Sequence, residues 1–242
     1  MKNISKIILT LLIISMFSCK SVDIQNEAPL QKVENYTKGK LDLMVAPFGL
    51  NGNEINVGNI SEDGILHFRF PQIDLSKIEG SEYYLESIDR AVGMTFCNNK
   101  QIESFNKTIK VVDTKNIFLY KDGIQVGSLY PATKKEIEDN GSLNRYTSLV
   151  LGSYISWFYS DGAGIFKASC GVSFDEEYYK FEEVSEYNLK FKKGWNIVEH
   201  KLLEKQDWKN DASQGSLPKV MEIKTTTTIP KSINWYVKYW GK

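Results

Sequence analysis

The sequence predicts a β-dominated chain, an antiparallel sandwich or an up-and-down barrel with at most one or two short helices. Three observations carry that prediction. First, apolar and polar residues alternate: Leu66, Phe68 and Phe70 around His67 and Arg69, and Tyr187, Leu189 and Phe191 around Asn188 and Lys190. Met221, Ile223, Thr225 and Thr227 alternate with Glu222, Lys224 and Thr226, and Ile233, Trp235, Val237 and Tyr239 with Asn234 and Lys238. Successive strand side chains point to opposite faces, so this period marks half-buried strands. Second, turn dipeptides punctuate the runs: Asn51-Gly52, Asp63-Gly64, Asp122-Gly123, Asn140-Gly141, Asp161-Gly162 and Lys193-Gly194. Third, the six prolines, at 29, 47, 71, 131, 218 and 230, spare every predicted strand interior, where a missing N–H would break the ladder.

In chain order the first element is a leader. Lys2 and Lys6 precede an apolar run over 7–17 that is broken only by Thr10 and Ser15. A spanning helix needs about 20 apolar residues, so the run fits a secretory leader instead. It ends in Met16-Phe17-Ser18-Cys19, and a polar stretch begins at once with Lys20 and Ser21. Here the chain resembles bacterial lipoproteins, in the looser form common in Bacteroidetes, although that family's box has Leu and a small residue where this chain has Met16 and Phe17. The resemblance implies cleavage after residue 18, acylation of Cys19 and a lipid-anchored protein of the cell envelope, at the outer membrane. The alternative is an ordinary signal peptide that happens to end in a cysteine. Several acyl chains on one residue hold a protein permanently, because each buried methylene contributes about 0.8 kcal/mol. Residues 19–37 are polar and aperiodic and read as a flexible tether of roughly 20–25 Å.

Residues 38–242 form the predicted β-rich domain, either as one unit or as a small module over 38–76 and a main domain over 80–242. The run KGKLDLMVAPFGLNGNEINVGNISEDGILHFRF resembles the transthyretin-like, carboxypeptidase-regulatory type of small β-sandwich, in its strand, Gly/Asn-rich turn and Asp-Gly followed by an aromatic strand. Residues 81–88 are readable as a helix capped at Ser81, with Leu85, Ile88 and Val92 on one face, or as a strand. Beyond them the turn signals imply four hairpins: 116–121 with 124–130, 144–160 with 165–174, 185–192 with 195–200, and 218–228 with 232–240.

Composition narrows function. Without the leader the chain carries 28 basic and 30 acidic residues, and its only arginines are Arg69, Arg90 and Arg145. That excludes the electrostatic footprint of a nucleic-acid binder and argues against a multi-phosphate site. Cys97 and Cys170 are free to bridge in an exported compartment. Cys170 is in phase with the apolar Phe166, Ala168 and Val172, whereas Cys97 is out of phase with Val92, Met94 and Phe96, so a disulfide and two unlinked thiols both remain open.

Motifs for chemistry are sparse. The two histidines, His67 and His200, are far apart and read as solvated or edge residues, so neither a metal nor a cofactor is expected. The Ser-x-x-Lys matches at Ser104/Lys107 and Ser216/Lys219 read as chance, and Gly162-Ala-Gly164 as a hairpin tip. Asp175, Glu177 and Glu182, beside Tyr178 and Tyr179, are the acids a glycan hydrolase could use, but adjacent acids on a strand face opposite ways and a solvated acidic loop is the simpler reading.

Aromatics are concentrated late: 18 of 30, and all five Trp, lie in the last 100 residues. In the strand predicted over 146–159, Leu149, Leu151, Ile155, Trp157 and Tyr159 fill one face, and Tyr146, Val150, Tyr154 and Phe158 join Ser148, Gly152 and Ser156 on the other. A strand without a polar face is covered on both sides, by core or by a cavity mixing aromatics with hydroxyls. Tyr154, Phe158, Tyr236 and Trp240 are therefore the candidate ligand contacts. The expected function is a non-enzymatic envelope module, anchored in the bilayer through Cys19, that binds an unidentified partner or glycan. A structural or assembly accessory and a hydrolase using the acids at 175–183 are the alternatives.

Overall fold

The computed structural model describes residues 31–49, 53–94, 97–114, 116–137, 149–176, 179–209 and 214–240, excepting the side chains at 174–176, 179–180, 208–209 and 214. Alternation does yield strands. Among the described residues, fourteen join in one ladder, so the fold is β-dominated as predicted. One stretch of the ladder runs β3 (Leu66–Phe68), β2 (Ile55–Ile60), β1 (Leu41–Val45), β7 (Ile117–Lys121) and β8 (Ile124–Ala132), with β14 (Asn234–Tyr239) also on β8. The other runs β9 (Gly152–Ser160), β12 (Gly194–Lys209), β13 (Gln214–Thr226), β11 (Tyr179–Phe191), β10 (Gly164–Glu176) and β5 (Asn99–Phe105). Two short strands, β6 (Lys110–Asp113) on β9 and β4 (Glu86–Ser87) on β6, extend it. The two stretches meet at a single pair, Ala132 with Tyr154.

Two cores result. The first gathers Leu43, Leu119, Trp235 and Val237 from the β3–β14 layer with Ile155, Trp157, Tyr159, Trp195 and Ile197 from β9 and β12. The second gathers Phe158 and Val198 from those same two strands with Phe166, Tyr187, Leu189, Phe191 and Ile223. The β9–β12 ladder, nine pairs long, is thus a wall buried on both faces, as the lack of a polar face in the sequence required. The first core draws on residues from Val33 to Val237, so 38–76 does not fold around a core of its own.

Strand partners differ from the predicted hairpins in three of four cases. β7 and β8 do pair, closed at Lys121/Ile124 by Asp122 and Gly123, both at positive φ (51° and 78°), as a two-residue hairpin turn demands. By contrast β9 pairs with β12 rather than β10, β11 with β10 and β13 rather than β12, and β14 with β8 rather than β13. The turn after β9 carries the chain across the second core, where Phe158 lies 5.8 Å from Phe191, and not into a neighbouring ladder position. β11 and β13 run parallel, so the sheet is mixed. The acid-rich stretch read as a loop is mostly strand, with Glu176 opposite Tyr179.

Two other expectations are corrected. Residues 81–88 form one helical turn (Ser81–Tyr83), then β4, and the four-residue helix α1 (Ile88–Ala91) follows. Ser81 does not cap a helix; its hydroxyl donates to the Leu75 carbonyl at 3.2 Å. Residues 31–37, expected as the end of a tether, are docked between β3 and β14. Val33 N–H donates to Gly64 O at 2.9 Å and Glu34 N–H to Trp235 O at 2.8 Å, with bridges Lys32/Ile65 and Glu34/Tyr236. Val33 is buried in the first core. This segment joins the two outer strands of its layer, removing the exposed edges that would otherwise invite association.

Cys97 and Cys170 are joined as a disulfide, with Cα atoms 5.4 Å apart. Cys97 lies in a turn, its N–H bonded to Met94 O, so strand phase did not govern where its side chain points. The bond closes 73 residues, and constraining such a loop in the unfolded chain contributes about 4 kcal/mol in the chain-entropy model. We expect the Cys97→Ala/Cys170→Ala protein to lose about 2–4 kcal/mol in urea unfolding. Both thiols of the native chain should resist labelling under denaturing, non-reducing conditions, and full labelling would contradict the bond.

Candidate functional site

The site forms where the edge of β9 changes partners. β6 covers that edge at 158–160 and β8 covers it at Tyr154. Over 155–157 the edge is met by Thr114, whose N–H and hydroxyl both donate to Trp157 O, at 3.0 and 2.9 Å. A groove of about 500 Å³ opens there, lined by Asp113 and Asn116 from the β6–β7 connection, Ser128 and Tyr130 from β8, Lys238 from β14, and Tyr154, Ser156 and His200 from the wall. A wider depression beside Phe105 and Gly164 is open surface.

Register builds the centre of the groove. His200 stands opposite Tyr154 on the neighbouring strand, and their rings stack with centroids 4.5 Å apart and planes within 1°. Ser156, two residues along on the same face, places its Oγ 2.8 Å from His200 Nε2. Across the groove, Tyr130 and Tyr236 are paired on β8 and β14 and stack at 5.4 Å. The indole Nε1 of Trp157, which also lines the groove, is buried without an acceptor among the described residues.

Burial sets the charge state. Desolvation pulls the His200 imidazole from its usual 6.5 down to about 4, so the ring is neutral at physiological pH. Desolvation, assisted by Asp113 and Tyr187, raises the Tyr154 phenol far above its ordinary value. Burial likewise pushes Tyr187 up to about 12, although its Ser185 hydrogen bond acts the other way. A Ser–His contact invites comparison with a nucleophile and its base. Desolvation lowers the basicity of this imidazole, which works against its taking a serine proton.

The candidate contacts separate. Tyr154 lines the groove, and Tyr236 stacks on Tyr130, which lines it, without being a lining residue itself. Phe158 does not face a cavity: it is 1% exposed in the second core. Trp240 is 46% exposed and packs edge-on against Phe118 at 6.1 Å. His67 is exposed, as expected, but His200 is neither solvated nor terminal, because β12 continues to Lys209 and the wall desolvates the ring. Ser216 bonds Asp207 and Lys219 bonds Glu204, so they make no dyad.

Glu182 points outward and is exposed, while Glu183 faces inward, half-buried, its carboxyl raised by desolvation against the hydrogen bond from Ser185. Cys19, Glu177, Tyr178 and the Asp175 side chain lie outside the described residues. Sequence reasoning missed the Ser156–His200 contact. Its signal was a small hydroxyl inside an aromatic strand, and its partner depends on a pairing 44 residues away.

Because His200 takes up a proton more readily unfolded than folded, its contribution is intact above pH 6.5 and is lost as pH falls through 6.5 towards 4. The total is on the order of 3 kcal/mol. Urea unfolding across that window should show the loss, and His200→Gln should flatten the curve there; an unchanged slope would refute a neutral buried ring.

Comparison with protein-family models, with curated proteins and with solved structures returned no match for this chain.

Proposed function

We propose that the protein is an exported, lipid-anchored binding protein of the cell envelope, held at the outer membrane through Cys19, and that its groove takes a glycan. The groove itself is the observation that carries the reading. Two aromatic stacks, Tyr154/His200 and Tyr130/Tyr236, flank hydroxyl, amide and carboxylate groups at Ser128, Ser156, Asn116 and Asp113. Ring faces take the apolar faces of sugars and the polar groups take their hydroxyls. The Cys97–Cys170 bond supports export, since such bonds persist in oxidising compartments. Among the described residues no helix is long and apolar enough to cross a membrane.

Two experiments test the reading. Cys19→Ala should move the protein from the membrane to the soluble fraction, and unchanged membrane association would sink the anchor. Calorimetric titration with neutral oligosaccharides (cello-, malto- and chito-series) should show binding that Tyr154→Ala weakens about tenfold, the value of one aromatic contact. Tyr236→Ala, which removes the ring stacked on Tyr130 and lies outside both cores, repeats that test without disturbing the wall. Binding indifferent to both changes would place the glycan elsewhere.

A further inference from the structure

Resting on that glycan reading, we infer that the occupant is a linear chain of several sugar rings rather than a single sugar, and that Trp240 is its second stacking position. Tyr236, Lys238 and Trp240 recur at every second residue of the C-terminal strand and so share one face. The ladder persists to the end of that row, since Trp240 N–H still donates to Val126 O at 3.0 Å.

This face is continuous with the groove. Ser128, a groove residue, lies opposite both Lys238 and Phe118, and Phe118 is the ring on which Trp240 packs edge-on. Trp240 stays 46% exposed beside Phe118, although the chain buries most of its other large apolar side chains. Four residues of strand place Trp240 about 13 Å from Tyr236, a separation that one sugar ring does not span and several linked rings do. The groove sets one acid, Asp113, and one base, Lys238, among its aromatic, hydroxyl and amide groups. A polyhydroxylated chain without net charge matches that lining, held by stacking and hydrogen bonds.

The test titrates the full-length protein with the mono-, tetra- and hexasaccharides of the cello-, malto- and chito-series. Affinity should rise with length in the series that fits, and Trp240→Ala should cut hexasaccharide affinity about tenfold, removing most of that rise. Val184→Ala, at an exposed apolar residue on the outer face of β11, should leave every affinity as it was. A hexasaccharide bound no more tightly than the monosaccharide, or a length dependence that survives Trp240→Ala, overturns the extended site while leaving the groove reading in place. Failure of every length to bind overturns both.

Discussion

Both cores of this protein rest on the ladder between β9 and β12. Its nine pairs put Trp157, Trp195 and Ile197 into one core and Phe158 and Val198 into the other. A ladder buried on both faces has no water to satisfy stray polar groups, and an unmet one costs about 1–3 kcal/mol. The wall's own polar residues show how that is managed. Asn196 donates to Lys192 O and Gly194 O and accepts from Lys192 N–H, all within 2.9 Å. Ser160 donates to Gly162 O at 2.7 Å, Ser156 meets His200, and Glu199 pairs with Lys224 at 3.6 Å. At the groove this accounting is looser, with the Trp157 indole N–H unmet among the described residues.

The segment 31–37 obeys the same constraint from the other side. It looked like tether because it is polar and aperiodic, yet its polar side chains are what dock it. Asn35 Nδ2 donates to Val237 O and its Oδ1 accepts from Val237 N–H, Thr37 N–H donates to the Tyr239 hydroxyl, and Gln31 accepts from the Trp235 indole. Val33 inserts into the first core and Tyr36 packs against it, half-buried. A segment held by two isolated bridges, a few backbone bonds and side-chain amides carries no period-2 signature, so hydropathy could not find it.

That contrast explains what was legible in the sequence. Period-2 runs such as 185–191 and 233–239 became strands because alternation is a property of one chain segment. Their partners were not legible, because pairing depends on which faces must be covered. β9, apolar on both faces, needed layers on each side, and β10 crossed over to build one of them. The same limit governed the site. Tyr154 could be singled out from its own strand, but Phe158, four residues on, falls deeper along the wall and into packed core. His200 looked like a strand end until β12 ran nine residues past it.

The groove's position follows from the wall's geometry rather than from any local motif. An edge that passes from one partner strand to another must leave a gap unless the partners abut, and here β6 ends at Asp113 while β8 reaches only Tyr154. The gap exposes backbone and side chains that belong to a buried ladder, which is why its central histidine and tyrosine are desolvated without being sealed off. Groups kept neutral in this way bind by shape and hydrogen bonding, and such contacts respond weakly to salt. The neutrality of the Tyr154 and His200 rings thus follows first from their burial in the β9–β12 ladder.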